Sequence, residues 1–166
     1  MRYIFLTIFL FSCYNNMRDK AKKLSKELII ADGHIDLPYR LHEEGLIYEE
    51  NIDLNHNTNR NFDIPKARKG GLNSPFMSIY IPSEKTYSEG FELANSLIDL
   101  VENIVESNKD HFQLALTPED VINNFNNNKI SLPMGMENGS PIGENINNLK
   151  FFFDRGIRNV TLTHAK

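Results

Sequence analysis

Cysteine is nearly absent from this sequence and a clustered basic surface is missing, and both absences limit what the chain can be. Cys13 is the only cysteine in 166 residues, so no disulfide can form within the chain. Basic residues are scattered apart from the segment 18–26, and the net charge of −4 argues against a nucleic-acid-binding surface. No glycine-rich phosphate loop follows the first predicted strand, so a nucleotide-binding fold has no support. The 40% hydrophobic and 24% charged residues fit one globular domain with a substantial core.

No apolar run is long enough to cross a bilayer, which takes ~20 residues. The apolar run 3–11 follows Arg2 and precedes Ser12 and Cys13, which is the pattern of a secretory signal. Leu10-Phe11-Ser12-Cys13 resembles the lipobox of bacterial lipoproteins, in which the cysteine receives lipid after cleavage. We therefore predict a signal peptide over 1–12 and a lipidated tether with an N-terminal helix over 13–27. The protein would be exported and anchored in the bacterial cell envelope, facing the periplasm. A buried N-terminal strand with an incidental cysteine is the alternative.

Predicted strands and helices alternate over residues 28–166. The predicted strands are Leu28–Ile35, Phe76–Ile81, Gln113–Leu116, Ile130–Met136 and Val160–Thr163. The first is a continuous apolar run, which is typical of a buried strand. Helices are predicted over Tyr87–Ser107, from Pro118 onward and over Ile146–Arg155, and a long loop over residues 41–61. This alternation predicts an α/β fold with a mainly parallel sheet, either doubly wound or closed as a barrel.

Residues of the kinds that bind metals lie at the ends of these predicted strands. His34 and Asp36 follow the first strand and point the same way, because side chains alternate along a strand. Glu137 and His164 end two later strands, and in parallel folds the ligand site lies at that edge. An imidazole and carboxylates in one place suit a divalent metal. Taken singly, Asp36 or Glu137 could instead cap a turn, and His164 could be a surface histidine.

The segment Asp32-Gly33-His34-Ile35-Asp36-Leu37-Pro38 resembles the first-strand signature of the membrane (renal) dipeptidase family, D-G-H-N-D-L-P, with Ile35 in place of asparagine. Segments 62–71, 76–82, 134–139 and 158–164 resemble further family blocks in the same order. The resemblance implies a metallo-hydrolase of the (β/α)8 TIM-barrel type. Residues 28–166 would be the N-terminal part of that barrel, with only about its first five strands present.

The resemblance also implies a zinc-dependent dipeptidase with two zinc ions per complete site. His34 and Asp36 would bind one zinc and Glu137 would bridge it to the second. A hydroxide held between the two ions would attack the peptide carbonyl, while His164 would contact the substrate and steady the tetrahedral intermediate. The implied partners are a dipeptide substrate, a membrane reached through lipidated Cys13, and a second copy in a homodimer of the full-length protein.

The remaining family residues have no counterpart in this sequence. They are two histidines for the second zinc, and an arginine and an aspartate that serve substrate binding and proton transfer. We therefore expect a truncated form with little or no peptidase activity alone, although a genuinely small open sheet is the competing interpretation. Two other functions stay open: another metal-dependent barrel amidohydrolase, and a non-catalytic or decayed lipoprotein that keeps the fold. The first is disfavoured because such hydrolases typically begin with His-x-His, whereas this chain has His34-x-Asp36.

Overall fold

The computed structural model describes residues 17–49 and 52–164. The predicted signal peptide and Cys13 lie outside these residues. Residues 17–27 form a helix, α1, as expected of the N-terminal segment. The strands are β1 (Ile30–Ile35), β2 (Leu72–Tyr80), β3 (Phe112–Leu114), β4 (Ile130–Leu132), β5 (Met134–Glu137) and β6 (Ile157–Thr161). The helices after α1 are α2 (Leu37–Glu43), α3 (Ile64–Gly70), α4 (Tyr87–Ser107), α5 (Pro118–Asn126) and α6 (Asn147–Asp154), with a short 3-10 turn at Ser140–Ile142.

Four strands make the main sheet, in the order β1-β2-β5-β6, and every pair in it is parallel. Helices connect successive strands of this sheet, as parallel pairing requires. The carboxyl ends of all four strands therefore meet at one edge. The predicted α/β fold with a parallel sheet is confirmed.

The strand predicted over Ile130–Met136 is in fact two strands with different partners. β4 pairs with β3 in a separate two-stranded sheet, whereas β5 lies between β2 and β6. Pro133 separates the two strands and has no N–H to donate to a continuous ladder. Its carbonyl accepts a hydrogen bond from the backbone N–H of Met77 at 2.8 Å. Pairing with β2 therefore begins at this residue. The described residues thus place four strands in the main sheet, not five.

The prediction that the first strand is buried is wrong. Ala31 to His34 are exposed, because β1 is an edge strand and pairs only with β2 among the described residues. The two edges of the sheet, β1 and β6, are both more exposed than β2 and β5 between them. An apolar run alone therefore did not distinguish an edge strand from a central one.

The hydrophobic core lies between the sheet and α4, as the helical periodicity predicted. Leu97, Ile98, Val101 and Ile104 are fully buried on one face of α4, and burying each such side chain contributes roughly 1.5–3 kcal/mol. The helix begins with a capping box in which Thr86 accepts from the Glu89 N–H and Glu89 accepts from the Thr86 N–H. α4 thus packs directly against β2, one of the two central strands of the sheet.

Two short helices occur where none was predicted. α2 begins directly after β1 with Pro38 in its first turn, and its last residues enter the predicted loop 41–61. α3 follows that loop and is capped by Asp63, whose carboxylate accepts from the Lys66 N–H. Among the described residues no helix is both long enough and apolar enough to cross a bilayer.

Candidate metal centre

His34 and Asp36 converge at the end of β1, as their spacing predicted. The Nε2 atom of His34 lies 3.0 Å from Oδ1 of Asp36. Asp36 occupies the N-cap position of α2, yet its side chain makes no capping hydrogen bond. Asp32 shapes this turn instead, because its Oδ1 accepts from the His34 N–H at 3.0 Å. The Asp36 carboxylate therefore faces His34 and not the helix.

Glu137 joins this pair from β5, two strands away in the sheet. Its Oε2 atom lies 3.3 Å from His34 Nε2, and its Oε1 atom lies 3.0 Å from His164 Nε2. The following turn is held by Asn138, whose Oδ1 accepts from the Ser140 N–H, so Glu137 does not act as its cap. With its side chain only 18% exposed, Glu137 is the least accessible of the four predicted site residues. Its two oxygens thus face two different imidazoles.

His164 lies at the same edge, just after β6. Its ring makes an edge-on contact with Tyr80, with the ring centroids 5.2 Å apart. Its Nδ1 atom is buried and has no hydrogen-bond partner among the described residues. Ligand atoms from His34, Asp36 and Glu137 all lie within 4.8 Å of one another, and His164 is outside that group. The structure therefore separates three metal-type donors from a fourth residue that faces the adjoining cavity.

A cavity of about 370 Å³ opens beside these residues. Asp36, Glu137 and His164 line one side, and Tyr39 and Tyr80 line another. The Tyr39 and Tyr80 rings meet edge to face at 4.9 Å. Burial, and then the negative charge of Glu43, raise the pKa of the Tyr39 phenol above its usual value. This phenol therefore stays protonated at neutral pH and can donate a hydrogen bond.

Sequence reasoning missed three residues of this edge. Tyr39 and Tyr80 received no role, and Ser78 was not noticed. Ser78 is buried in β2 and donates a hydrogen bond from Oγ to Glu137 Oε2 at 2.8 Å. A small polar residue in the apolar strand Phe76–Ile81 was the signal that could have identified it, because buried hydroxyls usually have a specific partner.

The three clustered donors fit a zinc ion by their chemistry. One imidazole nitrogen and two carboxylates are ligand types that zinc accepts. A carboxylate that faces two ways, as Glu137 does, also suits a site in which two cations share one ligand. The residues present are therefore compatible with the first half of a two-metal site.

Comparison with known proteins decides the family. The sequence model of the membrane dipeptidase family (peptidase family M19) matches residues 18–166. The chain belongs to the membrane dipeptidase family. Among curated members, dipeptidase 3 of Mus musculus is 28% identical over 148 residues, which cover 89% of this chain and 29% of that protein. Dipeptidase ataJ of Aspergillus terreus is 28% identical over 158 residues, covering 89% of this chain and 38% of that protein.

Solved structures of a probable dipeptidase and a metallopeptidase share the fold. The probable dipeptidase PvdM from Pseudomonas aeruginosa superposes with a TM-score of 0.79 at 18% identity, covering 92% of this chain and 38% of that one. A metallopeptidase from Rhodobacter sphaeroides, liganded with a phosphinate mimic of the dipeptide L-Ala-D-Ala, gives 0.71 at 20% identity, covering 80% and 44%. The chain thus spans 29% to 44% of the length of these relatives. The family resemblance and the parallel barrel-type fold are both confirmed.

Proposed function

We propose that this chain forms the N-terminal part of a zinc-dependent dipeptidase. Family membership supports the reaction class, and the observation that carries the proposal is the convergence of His34, Asp36 and Glu137 within 4.8 Å. These donors come from two strands that are separated in the sheet by β2. Such convergence at the carboxyl ends of parallel strands is where barrel hydrolases place their chemistry.

His34 and Asp36 would hold the first zinc ion, and Glu137 would share its carboxylate with a second. Zinc bound there supplies a Lewis acid for the peptide carbonyl and a hydrolytic nucleophile at neutral pH. The protein's own part is to orient the ligands. His34 contacts both carboxylates through Nε2, so its ring is already aimed at the centre of the group.

His164 would act on the substrate and not as a ligand. It borders the cavity beside the metal-type donors, and its Nε2 lies 3.0 Å from Glu137 Oε1. If that carboxylate oxygen were taken up by a metal ion, the imidazole N–H would be released toward the cavity, where it would stabilise the negative charge that develops on the carbonyl oxygen. The cavity beside it would hold the dipeptide, with the protonated Tyr39 phenol as a donor on its wall.

We further propose that this chain binds zinc but turns over little substrate alone. It spans less than half the length of its relatives, and the described residues contain one three-donor group. The second zinc's histidines and the arginine and aspartate of the family would be supplied by later barrel strands. A dipeptide such as L-Ala-D-Ala is a suitable probe, because a mimic of it is bound in the Rhodobacter metallopeptidase.

Zinc titration of the full chain tests the proposal. The unaltered chain should bind about one zinc per molecule and gain thermal stability as zinc is added, because a ligand that binds only the folded state stabilises it. His34→Ala should abolish both effects. His56→Ala is the matched control, since His56 also pairs with an aspartate, Asp53, at 2.8 Å but on the open surface. Equal binding by His34→Ala and the unaltered chain would refute the site; no binding by either would favour the non-catalytic interpretation.

The lipid anchor is a separate proposal. It is supported by Leu10-Phe11-Ser12-Cys13 after a short apolar run. We propose that Cys13 is lipidated and that the protein is exported to the cell envelope on the periplasmic side. Expression in a bacterium should yield a mature protein that begins at Cys13, carries the mass of added lipid and fractionates with membranes. Cys13→Ser should lose that mass, and an unprocessed N-terminus in the unaltered protein would refute the proposal.

A further inference from the structure

Ser78 contacts the metal-type donors without being one of them. Its hydroxyl donates to Oε2 of Glu137 at 2.8 Å, and the residue is 3% exposed. β2 and β5 are neighbours in the sheet, with Tyr80 opposite Glu137 and Ser78 opposite Gly135. Gly135 has no side chain, and the Asn159 amide occupies the space that its Cβ would take. Glu137, two residues later on β5, reaches back to the Ser78 hydroxyl. The hydrogen bond therefore links the two central strands at their carboxyl ends.

Oε2 of Glu137 is the carboxylate oxygen that faces His34. It accepts from Ser78 and lies 3.3 Å from His34 Nε2, whereas Oε1 is directed to His164. The last torsion of a glutamate side chain has only broad, roughly two-fold preferences, so the carboxylate plane is not fixed by its own bonds. The Ser78 donor defines that plane from one side. It leaves the other side of Oε2 open to the pair at the end of β1.

We infer that Ser78 is a positioning residue that orients the bridging carboxylate of Glu137 for metal binding. The inference rests on the proposed metal site and adds a residue to it that no ligand pattern reveals. Partners that hydrogen-bond a metal ligand fix its orientation, and their loss typically lowers metal affinity by 10–100-fold. Ser78 acts through Glu137. Within the described part of the chain it makes no hydrogen bond to His34 or Asp36.

Zinc affinity, measured by competition with a chromogenic chelator on the full chain, tests the inference. Ser78→Ala should weaken zinc binding by about 10–100-fold, and Ser78→Thr, which keeps the hydroxyl, should recover most of the loss. Ser74→Ala is the matched control: Ser74 lies on the same face of β2, is also 3% exposed, and makes no hydrogen bond to the three donors within the part of the chain that the structure describes. A urea unfolding curve for each variant shows that the chain remains folded.

A double variant separates positioning from a general effect on packing. When Glu137→Ala has already removed the carboxylate, adding Ser78→Ala should leave the residual affinity of His34 and Asp36 unchanged. Unaltered zinc affinity in Ser78→Ala alone would overturn the inference while leaving the proposed function intact. An equal loss in Ser74→Ala, or a further loss in the double variant, would overturn it as well. Failure of the unaltered chain to bind zinc would overturn both the inference and the proposed site.

Discussion

Replacing Asp63 with alanine should be among the most destabilising single changes in this chain. The side chain is fully buried and its oxygens accept four hydrogen bonds. Two come from the backbone N–H and Nζ of Lys66, at 2.9 and 2.5 Å, and two from the backbone N–H and hydroxyl of Thr58, at 2.8 and 3.2 Å. Together they join the end of the loop to the first turn of α3.

The expected loss of unfolding free energy follows from the hydrogen bonds that are lost when the carboxylate is removed. Lys66 Nζ is part-exposed and keeps the carbonyls of Thr58 and Arg60, so the cost comes from the backbone N–H groups that lose their acceptor. The lost helix cap costs about 1 kcal/mol and the unpaired Thr58 N–H about 1–3 kcal/mol, which together make roughly 2–4 kcal/mol. A domain of this size has a total stability of roughly 5–15 kcal/mol, so the loss is a large share of it. With a urea slope of about 2 kcal/mol/M, a cost of about 3 kcal/mol lowers the unfolding midpoint by about 1.5 M.

The same residue gives the stability a definite pH dependence. Burial alone would raise the pKa of Asp63, but the hydrogen bonds from Lys66 and Thr58 outweigh it and hold the pKa below its ordinary value. A depressed pKa in the folded state means that the stabilisation is complete above the unfolded pKa of about 3.9. It is lost as the pH falls through the lower folded value. The gap between the unaltered protein and Asp63→Ala should therefore shrink below about pH 4.

Urea unfolding followed by circular dichroism at pH 7 and pH 3 measures both effects. Asp154→Ala is the control, because Asp154 makes an exposed pair with Lys150 and should cost at most about 1 kcal/mol. Asp63→Asn should not restore the stability, since its NH2 group would face at least one of the four donors that the carboxylate now accepts from. A midpoint shift no larger than that of Asp154→Ala would refute the reasoning.

Two further changes test local conformation. Thr117→Ala removes the capping box at the start of α5 and should lower the free energy of unfolding by about 1 kcal/mol, measured with urea. Thr117→Ser keeps the hydroxyl and should be neutral. An equal loss in both variants would contradict the capping role of this hydroxyl. Gly71→Ala should cost roughly 1–3 kcal/mol, because Gly71 has a φ of +82° and an added Cβ would collide with the Ser25 carbonyl. Gly70→Ala, one residue earlier and with open space around its Cβ position, should be neutral or slightly stabilising, and equal losses at both glycines would rule out this explanation.

The sequence was most informative where side-chain pattern and geometry are directly related. The helix over Tyr87–Ser107 was predicted with its observed bounds, because its buried face recurs at helical spacing over many turns. His34, Asp36, Glu137 and His164 were brought together by one rule, that parallel strands end at a common edge. The structure places all four there, while the roles assigned to them remain proposals.

Properties that depend on partners distant in sequence were predicted less well. The apolar run of β1 does not show that the strand lies at a sheet edge, and Pro133 was not interpreted as a change of sheet. α2 and α3 are too short for a clear periodicity, so only their caps and prolines could have indicated them. Ser78 gave a weak signal for the same reason, since its importance comes from a residue 59 positions later.

The order of the strands in the main sheet is also the order in which they are synthesised. β2 can pair with β1, β5 with β2 and β6 with β5, so each new strand meets a partner that has already left the ribosome. In the described sheet, no strand is inserted between two strands that were synthesised before it. His34, Asp36 and Glu137 are therefore assembled once β5 has been added, so that formation of the donor cluster can accompany synthesis of the chain.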